Sequence, residues 1–574
     1  MPISQLMNPT PNYFGTNQPL PASVVLQSGA LSCLYENGKL RYIKVGDTEI
    51  IRTIYIAIRD NSWTTIPYKI TKESIDVQQD MFSVTCTALY TMGSVKYKST
   101  LIITGKNNTI RFTFKGVALS KFSRNRIGVC LLHPIHECMA KPCVVTDAEG
   151  NNKTLQFPAQ ISPTELFKNV AQMQWQPAEN CTATLQFEGD PFETEDQRNW
   201  ADNSYKTYNT PPDSSLPVEV NIGDTVTHTL TLKVDVTGKP AIGINDTHLV
   251  VNGNKVKLPR IGYNKTADKK LNTQQTALLK QLPFDTYRIE IRFDTDWRKL
   301  LKQAAAEATG LKTCLSIAVF FTDLDLQLQE LISVFEKSYI NLVEDILILD
   351  EGRKTTSAET MNRAYPLLKW IFPGIKIGAG TDGYFTEWNR QPLTGMAMDF
   401  VSYSLNPQVH ANDTRTLIEN LQAQPYTIIK ANAINPGVPV YVSPVTLRSR
   451  RVLKLKHDAR QSSLFTAAWT LLSIKYLANA ASLTYFDTTG KDGLMDKETP
   501  YPVYDYLKKL KAFKPVHICE LWSNNPLNVD ALVVENKAGN KLHFIINFSE
   551  QPVEITLDGF EDKLILPATS ITIK

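Results

Sequence analysis

Three features of the sequence predict a multidomain α/β plus β fold: a central (β/α)8 TIM-type barrel flanked by an N-terminal antiparallel β-sandwich and a small C-terminal β-sandwich. Short runs with a two-residue apolar period occupy the chain up to about Pro240. Near residue 257 the rhythm changes to apolar strand-like runs alternating with helix-length amphipathic segments, and after Pro515 the helical pattern stops. A chain of 574 residues is also longer than one core usually organises, so on the order of two to four domains are expected. The boundaries read as a tail at 1–17, a β domain at 18–256, a barrel at 257–512 and a C-terminal β domain at 513–574.

In the first domain the alternating runs are Lys39 to Val45, Arg52 to Ile58, Ser83 to Tyr90, Thr100 to Thr104, Thr109 to Lys115 and Val226 to Val236. Turn signals such as Lys106-Asn107-Asn108 and Gly150-Asn151-Asn152 separate them, the pattern of an antiparallel sandwich. Eight further strands follow: Leu258 to Tyr263, Tyr287 to Phe293, Thr313 to Phe320, Asp345 to Leu349, Ile375 to Ala379, Phe400 to Ser404, Val438 to Val442 and Ser482 to Phe486. Helical segments lie between them, among them Trp297 to Ala308, Leu326 to Phe335, Ala358 to Trp370, Thr414 to Leu421 and Gln461 to Leu477. Eight such repeats in this length match a TIM-type barrel, and no Gly-rich phosphate turn favours an open doubly wound sheet. Leu532 to Glu535, Lys541 to Phe548, Val553 to Leu557 and Ser570 to Lys574 are the strands of the last domain.

A formal charge of +4 over the whole chain leaves no electrostatic footprint for nucleic acid, and none is expected as a partner. The densest basic stretch, Arg448 to Arg460 with Arg450, Arg451, Lys454 and Lys456, reads as a solvated loop and helix start because no aromatic platform is interleaved with it. The most apolar stretches, Leu315 to Phe321 and Ala467 to Leu477, are too short to span a bilayer, so no membrane role is expected. The first residues show no basic region followed by an apolar one, and the eight cysteines are scattered without a zinc-ribbon spacing. A cytoplasmic chain with reduced thiols is the expectation. The oligomeric state is left open.

In such barrels the chemistry lies at the C-terminal ends of the strands. The second strand alternates Arg288, Glu290 and Arg292 with Ile289, Ile291 and Phe293, so the charged set faces the interior and requires partners there. Arg292, nearest the mouth, is a candidate substrate contact. The fourth strand ends in Asp350-Glu351-Gly352, which makes Glu351 the leading acid or base. After the fifth strand, Asp382, Glu387 and Asn389 lie in a run rich in aromatic, amide and charged groups suited to a polyhydroxylated ligand. His410 follows the sixth strand, Arg448 the seventh, and Asp487 closes the eighth. Val438 to Arg448 contains no Asp or Glu. Retaining glycosidases need two carboxylates across the bond, so that chemistry is disfavoured. Ester or lactone hydrolysis needs only a base for water, oxyanion donors and an acid for the leaving alkoxide. Neither a nucleophile elbow nor a zinc-protease helix motif is present, and no metal or cofactor is assigned. The N-terminal domain adds Arg126 and the segment Glu195-Asp196-Gln197-Arg198-Asn199-Trp200, in which Asp196, Arg198 and Trp200 are candidates to close the site over a sugar face.

Leu34 to Gly38, Arg124 to Gly128 with His133-Pro134, Glu195 to Trp200, and Ser443 to Arg448 together resemble the bacterial D-apionate lactonase family across essentially the whole chain. The resemblance implies a small sugar-lactone substrate, with D-apionolactone opened to D-apionate in D-apiose catabolism, downstream of a dehydrogenase. The site assignments rest on barrel position, not on the family. They place Glu351 as base or acid assisted by His410 or Asp487, with Arg292, Asn389 and Arg448 stabilising the oxyanion and holding hydroxyls. Two other readings use the same fold: a glycoside hydrolase pairing Glu351 with Asp382 or Glu387, and a non-catalytic carbohydrate-binding protein.

Overall fold

The computed structural model describes residues 13–16, 20–209, 216–238, 246–266, 269–450 and 457–574, without the side chains of 336–338. Most of the expected tail, and Arg451, Lys454 and Lys456, lie outside the described residues. The chain divides into two compact units, one of residues 20–197 and 203–244, the other of residues 1–19, 198–202 and 245–574.

The first unit is all antiparallel. Among the described residues its seventeen strands join one hydrogen-bonded network running from Ser23–Ser28 to Thr225–Val236. The two-residue period is visible in its burial: in Val95–Lys106 the enclosed side chains Val95, Tyr97, Leu101 and Ile103 alternate with exposed ones. Strands extend past the apolar runs that signalled them, as in Thr48–Asp60 and Met81–Met92, because backbone pairing continues through the polar ends.

In the second unit eight parallel strands close into a barrel: Arg260–Asn264, Thr286–Arg292, Cys314–Phe321, Val343–Asp350, Lys376–Tyr384, Phe400–Leu405, Val440–Val445 and Ser482–Asp487. Each falls within a few residues of its expected run. Polar caps start the helices between them: Asp296 accepts from the Lys299 amide, Asp323 from Leu326, Ser357 from Thr360 and Asp413 from Thr416. Each such cap contributes about 1 kcal/mol and sets where the chain turns back along the barrel.

A seven-stranded sheet completes this unit, in the order Leu564–Leu566, Val553–Leu557, Thr247–Lys257, Pro515–Ser523, Val529–Asn536, Lys541–Asn547, Ser570–Ile573. Thr247–Lys257 therefore does not end the N-terminal domain, as the boundary at residue 256 implied. It pairs with Pro515–Ser523 and Val553–Leu557, and its alternation could not say which sheet it joins. The short stretch around Tyr13 is also not a free tail: Tyr13 and Phe14 are enclosed and pack on Phe465. Helix Leu464–Tyr476 is tied to the sheet by Asp530, which is wholly buried and accepts from Lys475 Nζ and, at 2.7 Å, from Tyr476 Oη. All eight cysteines are free thiols. Among the described residues no helix is long and apolar enough to cross a membrane.

Candidate active site

The second barrel strand sets Arg288, Glu290 and Arg292 level with Ser316, Ala318 and Phe320 of the third. Ala318 and Phe320 belong to an apolar cluster with Leu347, Leu349, Phe400 and Tyr441, on strands three, four, six and seven. Only the barrel interior brings those strands into contact, so the three charged residues face inward as their alternation predicts.

Those charges are neutralised at the mouth. Arg450, in the loop after the seventh strand, donates Nη2 to Glu290 and Nη1 to Asp382 Oδ1 at 2.8 Å. Arg288 donates to Glu290 at 2.7 Å and lies 3.5 Å from Asp382. Burial raises the cost of ionising Glu290, but Arg450, Arg288 and Arg292 outweigh it and hold the carboxyl down at about 2. Burial opposes the charge of Arg450 too, yet Glu290 and Asp382 keep its guanidinium firmly protonated. Arg450 is therefore no solvated loop residue, as the basic stretch around it had suggested.

Asp487 is the contrasting carboxyl. Burial, then neighbouring Asp492, pushes it up to about 7; Arg450 and Arg448 act in the opposite sense, and Glu290 reinforces the rise. Among the described residues no side-chain hydrogen bond to it is present. Its direction comes from an irregular strand end. Tyr263 lies level with Tyr485 and Asn264 with Asp487, so Phe486 is an extra residue in the ladder, with φ at +41°. A bulge of this kind reverses the alternation. Tyr485 reaches out to Ser473 of the helix Leu464–Tyr476, so the reversal turns Asp487 away from that side. A bulky residue in the left-handed region is strained, and such strain is typical beside functional groups.

Glu351, the leading sequence candidate, accepts a short hydrogen bond from Arg292 Nη1 and is 40% exposed at its side chain. Arg292 also lies 3.6 Å above the Phe320 ring. The adjacent Asp350 is committed to structure, accepting from the Ser357 amide at 2.6 Å and from Thr360 Oγ1. Arg448 donates to Asp492 at 2.7 Å, and His457 Nδ1 lies 3.5 Å from the same carboxylate.

Residues 198–202 belong to the barrel unit. There His410 Nδ1 makes a short hydrogen bond with Asp202, whose other oxygen accepts from Asn420 Nδ2 at 2.7 Å. Trp200 meets the His410 ring edge-on at 5.2 Å, and Arg390 lies 5.3 Å over the indole. Trp200 also lines a small pocket with Tyr384, Tyr403, Ser404 and Asn406. Arg198 and Asn389, both expected to meet substrate, are enclosed and engaged within the protein. Arg198 sits 5.0 Å over Tyr426, and Asn389 donates to Asn199 at 2.8 Å. Glu387 lies 3.6 Å from Lys354. Arg126 and Asp196 belong to the first unit, where both are buried; Asp196 accepts from the Ser162 amide at 3.2 Å.

The structure thus gathers Arg292, Asp382, Arg448, Asp487 and Glu351 around strands two, four, five, seven and eight. It sets His410 with Trp200 near strands five and six. Glu290, Arg450 and Asp202 were not singled out as site residues. The inward alternation of the second strand already pointed to Glu290, whereas nothing local marks the other two. Among the described residues no group of three or more His, Cys, Asp and Glu side chains is arranged to hold a metal ion.

Comparison with known proteins follows the same division of the chain. Residues 11–237 match the family model described as D-apionate lactonase, N-terminal domain, and residues 261–515 match that described as D-apionate lactonase, TIM barrel domain. A D-apionate lactonase of Brucella anthropi is 25% identical, the alignment covering 95% of this chain and 96% of that protein. Among solved structures, a GH51 arabinofuranosidase from Xanthomonas axonopodis pv. citri is 12% identical, covering 55% of this chain and 88% of that one with a TM-score of 0.40. The GH36 α-galactosidase AgaA from Geobacillus stearothermophilus is 10% identical, covering 96% and 99% with a TM-score of 0.31.

Proposed function

The chain belongs to the D-apionate lactonase family, and from that membership we propose that it hydrolyses D-apionolactone to D-apionate, consuming the lactone that a dehydrogenase forms in D-apiose catabolism. In this reading the barrel is a (β/α)8 barrel, the flanking β units are sandwiches, and the site is the mouth around strands two, seven and eight.

The observation that carries the proposal is the contrast between two kinds of carboxyl at that mouth. Glu290 is held ionised by Arg450 and Arg288, and Asp382 is paired with the same two guanidinium groups, whereas Asp487 has no side-chain hydrogen bond among the described residues and is pushed up to about 7. A group whose pKa lies near neutrality can both accept and return a proton. Asp487 as carboxylate takes a proton from water as the water oxygen bonds to the lactone carbonyl carbon. The oxyanion so formed is stabilised by the guanidinium groups at the mouth, Arg292 and Arg448 among them. On collapse the bond from the carbonyl carbon to the ring oxygen breaks, and the ring oxygen takes the proton back from Asp487. The product carboxyl ionises and faces the same cations.

Glu351 takes a different place here from the one its position implied. Paired with Arg292 and more open to water, it orients that guanidinium and binds substrate hydroxyls, while proton transfer falls to Asp487. His410, held by Asp202, and Trp200 supply a second wall for the sugar. Titration of acid released from D-apionolactone at constant pH tests the reading. Wild-type protein is expected to release one equivalent of acid per lactone, with or without chelator, since Glu290 and Asp382 are already occupied by guanidinium groups. Release no faster than in buffer would overturn the lactonase reading.

A further inference from the structure

Four strands of the first unit lie side by side: Thr48–Asp60, Phe122–Pro134, Ser204–Asn209 and Phe192–Asp196. Their registers set Arg59 opposite Arg126, Tyr55 and Tyr208 on either side of Cys130, Lys206 opposite Glu195, and Tyr208 opposite Glu193. With a two-residue alternation all of these project from one face. One sheet face therefore carries three cations and two carboxylates, opposite the face on which Ile54, Ile58, Ile127, Val129 and Leu131 are enclosed.

The two carboxylates accept hydrogen bonds from other side chains, although both arginines lie within reach of the charge of Glu195. Glu195 takes Lys206 Nζ at 3.1 Å, and Glu193 accepts a short hydrogen bond from Tyr208 Oη. Arg59 and Arg126 are 9% and 3% exposed, and neither guanidinium makes a hydrogen bond or an ion pair within 4 Å among the described residues. Their Nε atoms are fully enclosed and unpartnered. Arg126 lies 3.9 Å over the Tyr208 ring and 5.8 Å from the ring of Trp63, which is 43% exposed and opens the pair toward solvent. Burial, and after it the charge of Arg126, lowers the pKa of Arg59. Two neighbouring guanidinium forks, largely buried and without a hydrogen-bonding acceptor among the described residues, are costly unless an anion joins them.

We propose that Arg59 and Arg126 form an oxyanion-binding site of the β domain, taking the carboxylate of a sugar acid or a phosphate group between their guanidinium forks, with Tyr208 and Trp63 as its aromatic wall. The site would use the fork geometry of arginine, which lysine cannot reproduce. It requires no residue of the barrel and does not depend on the lactonase reading.

Calorimetric titration of the full-length protein with inorganic phosphate and, separately, with sodium D-gluconate tests it. One equivalent of one or both anions is expected to bind, more weakly at high salt. Phosphate alone would identify a phosphorylated ligand, and gluconate alone a sugar acid. Arg59→Gln and Arg126→Lys are each expected to weaken binding at least about tenfold, and Arg292→Gln in the barrel to leave it intact. Arg126→Lys keeps the charge, so it serves if Arg59→Gln does not fold, with circular dichroism reporting the fold. Absence of binding to wild-type protein, wild-type affinity in both β-domain variants, or loss in Arg292→Gln alone would overturn the proposal.

Discussion

Arg450 donates to Glu290 across 160 residues of sequence, joining the loop after the seventh barrel strand to the interior of the second. The same guanidinium holds Asp382 of the fifth strand, so a single cation ties three strand ends together at the mouth.

Removing the charge of Glu290 leaves Arg288 and Arg450 partly uncompensated in a half-buried site. Glu290→Gln is expected to cost about 2–4 kcal/mol of stability, read as a lower urea midpoint. Its carboxyl sits at about 2 in the fold, below the ordinary value of 4.5. Its stabilising contribution is therefore complete above about pH 4.5 and lost as pH falls toward 2. The variant should lack that acid-dependent loss; wild-type behaviour in both respects would remove Glu290 from the charge balance.

Asp487 carries the opposite sign. Its carboxyl is pushed from 3.8 up to about 7, so the folded protein binds more protons than the unfolded chain between those values. Stability falls as pH rises through that window. Asp487→Asn should therefore be more stable than wild type at pH 8 by about 1–3 kcal/mol, while lactone hydrolysis drops by roughly 10²–10⁴-fold. The wild-type rate is expected to rise with an inflection near pH 7 that the variant lacks. A variant that kept its activity would return the proton-transfer role to Glu351.

The barrel was legible in the sequence because most strands are apolar runs and several helices begin on a side chain that accepts an amide. Trp297–Leu311 after Asp296 and Ala358–Ile371 after Ser357 illustrate both signals. The inward charges of the second strand were legible for the same local reason. The site itself was only half legible. Arg450 stood in a basic stretch that looked solvated, since its partners Glu290 and Asp382 are remote in sequence. Asp487 and Glu351 were indistinguishable as strand-end acids until Phe486 proved to be a bulge and burial separated them. Arg198 reads as a substrate contact in a polar run, yet it is enclosed over Tyr426, a contact no spacing reports.

The hydrogen bond between His410 and Asp202 predicts coupling. Asp202 also accepts from Asn420, so Asp202→Asn leaves two enclosed groups poorly matched. We expect Asp202→Asn and His410→Asn each to cost about 1–3 kcal/mol, and the double variant to cost less than their sum. Urea denaturation of the four proteins measures the cycle. Strict additivity would mean that the two side chains act independently.

Gly378 of the fifth barrel strand shows how tightly the interior is fitted. A Cβ added there would lie 2.4 Å from the Phe400 ring, which stacks on Tyr441 at 4.2 Å within the barrel cluster. The ring is enclosed and has no room to withdraw without disturbing Tyr441. Gly378→Ala should therefore destabilise by about 1–3 kcal/mol through overpacking, even though alanine shortens the conformational reach of the unfolded chain. Phe400→Leu removes the clashing edge at the cost of ring contacts. In the double variant the alanine methyl occupies part of the vacated space, so its stability should exceed that predicted by adding the two single losses. Urea midpoints that add within error would show that the glycine is not there to admit the ring.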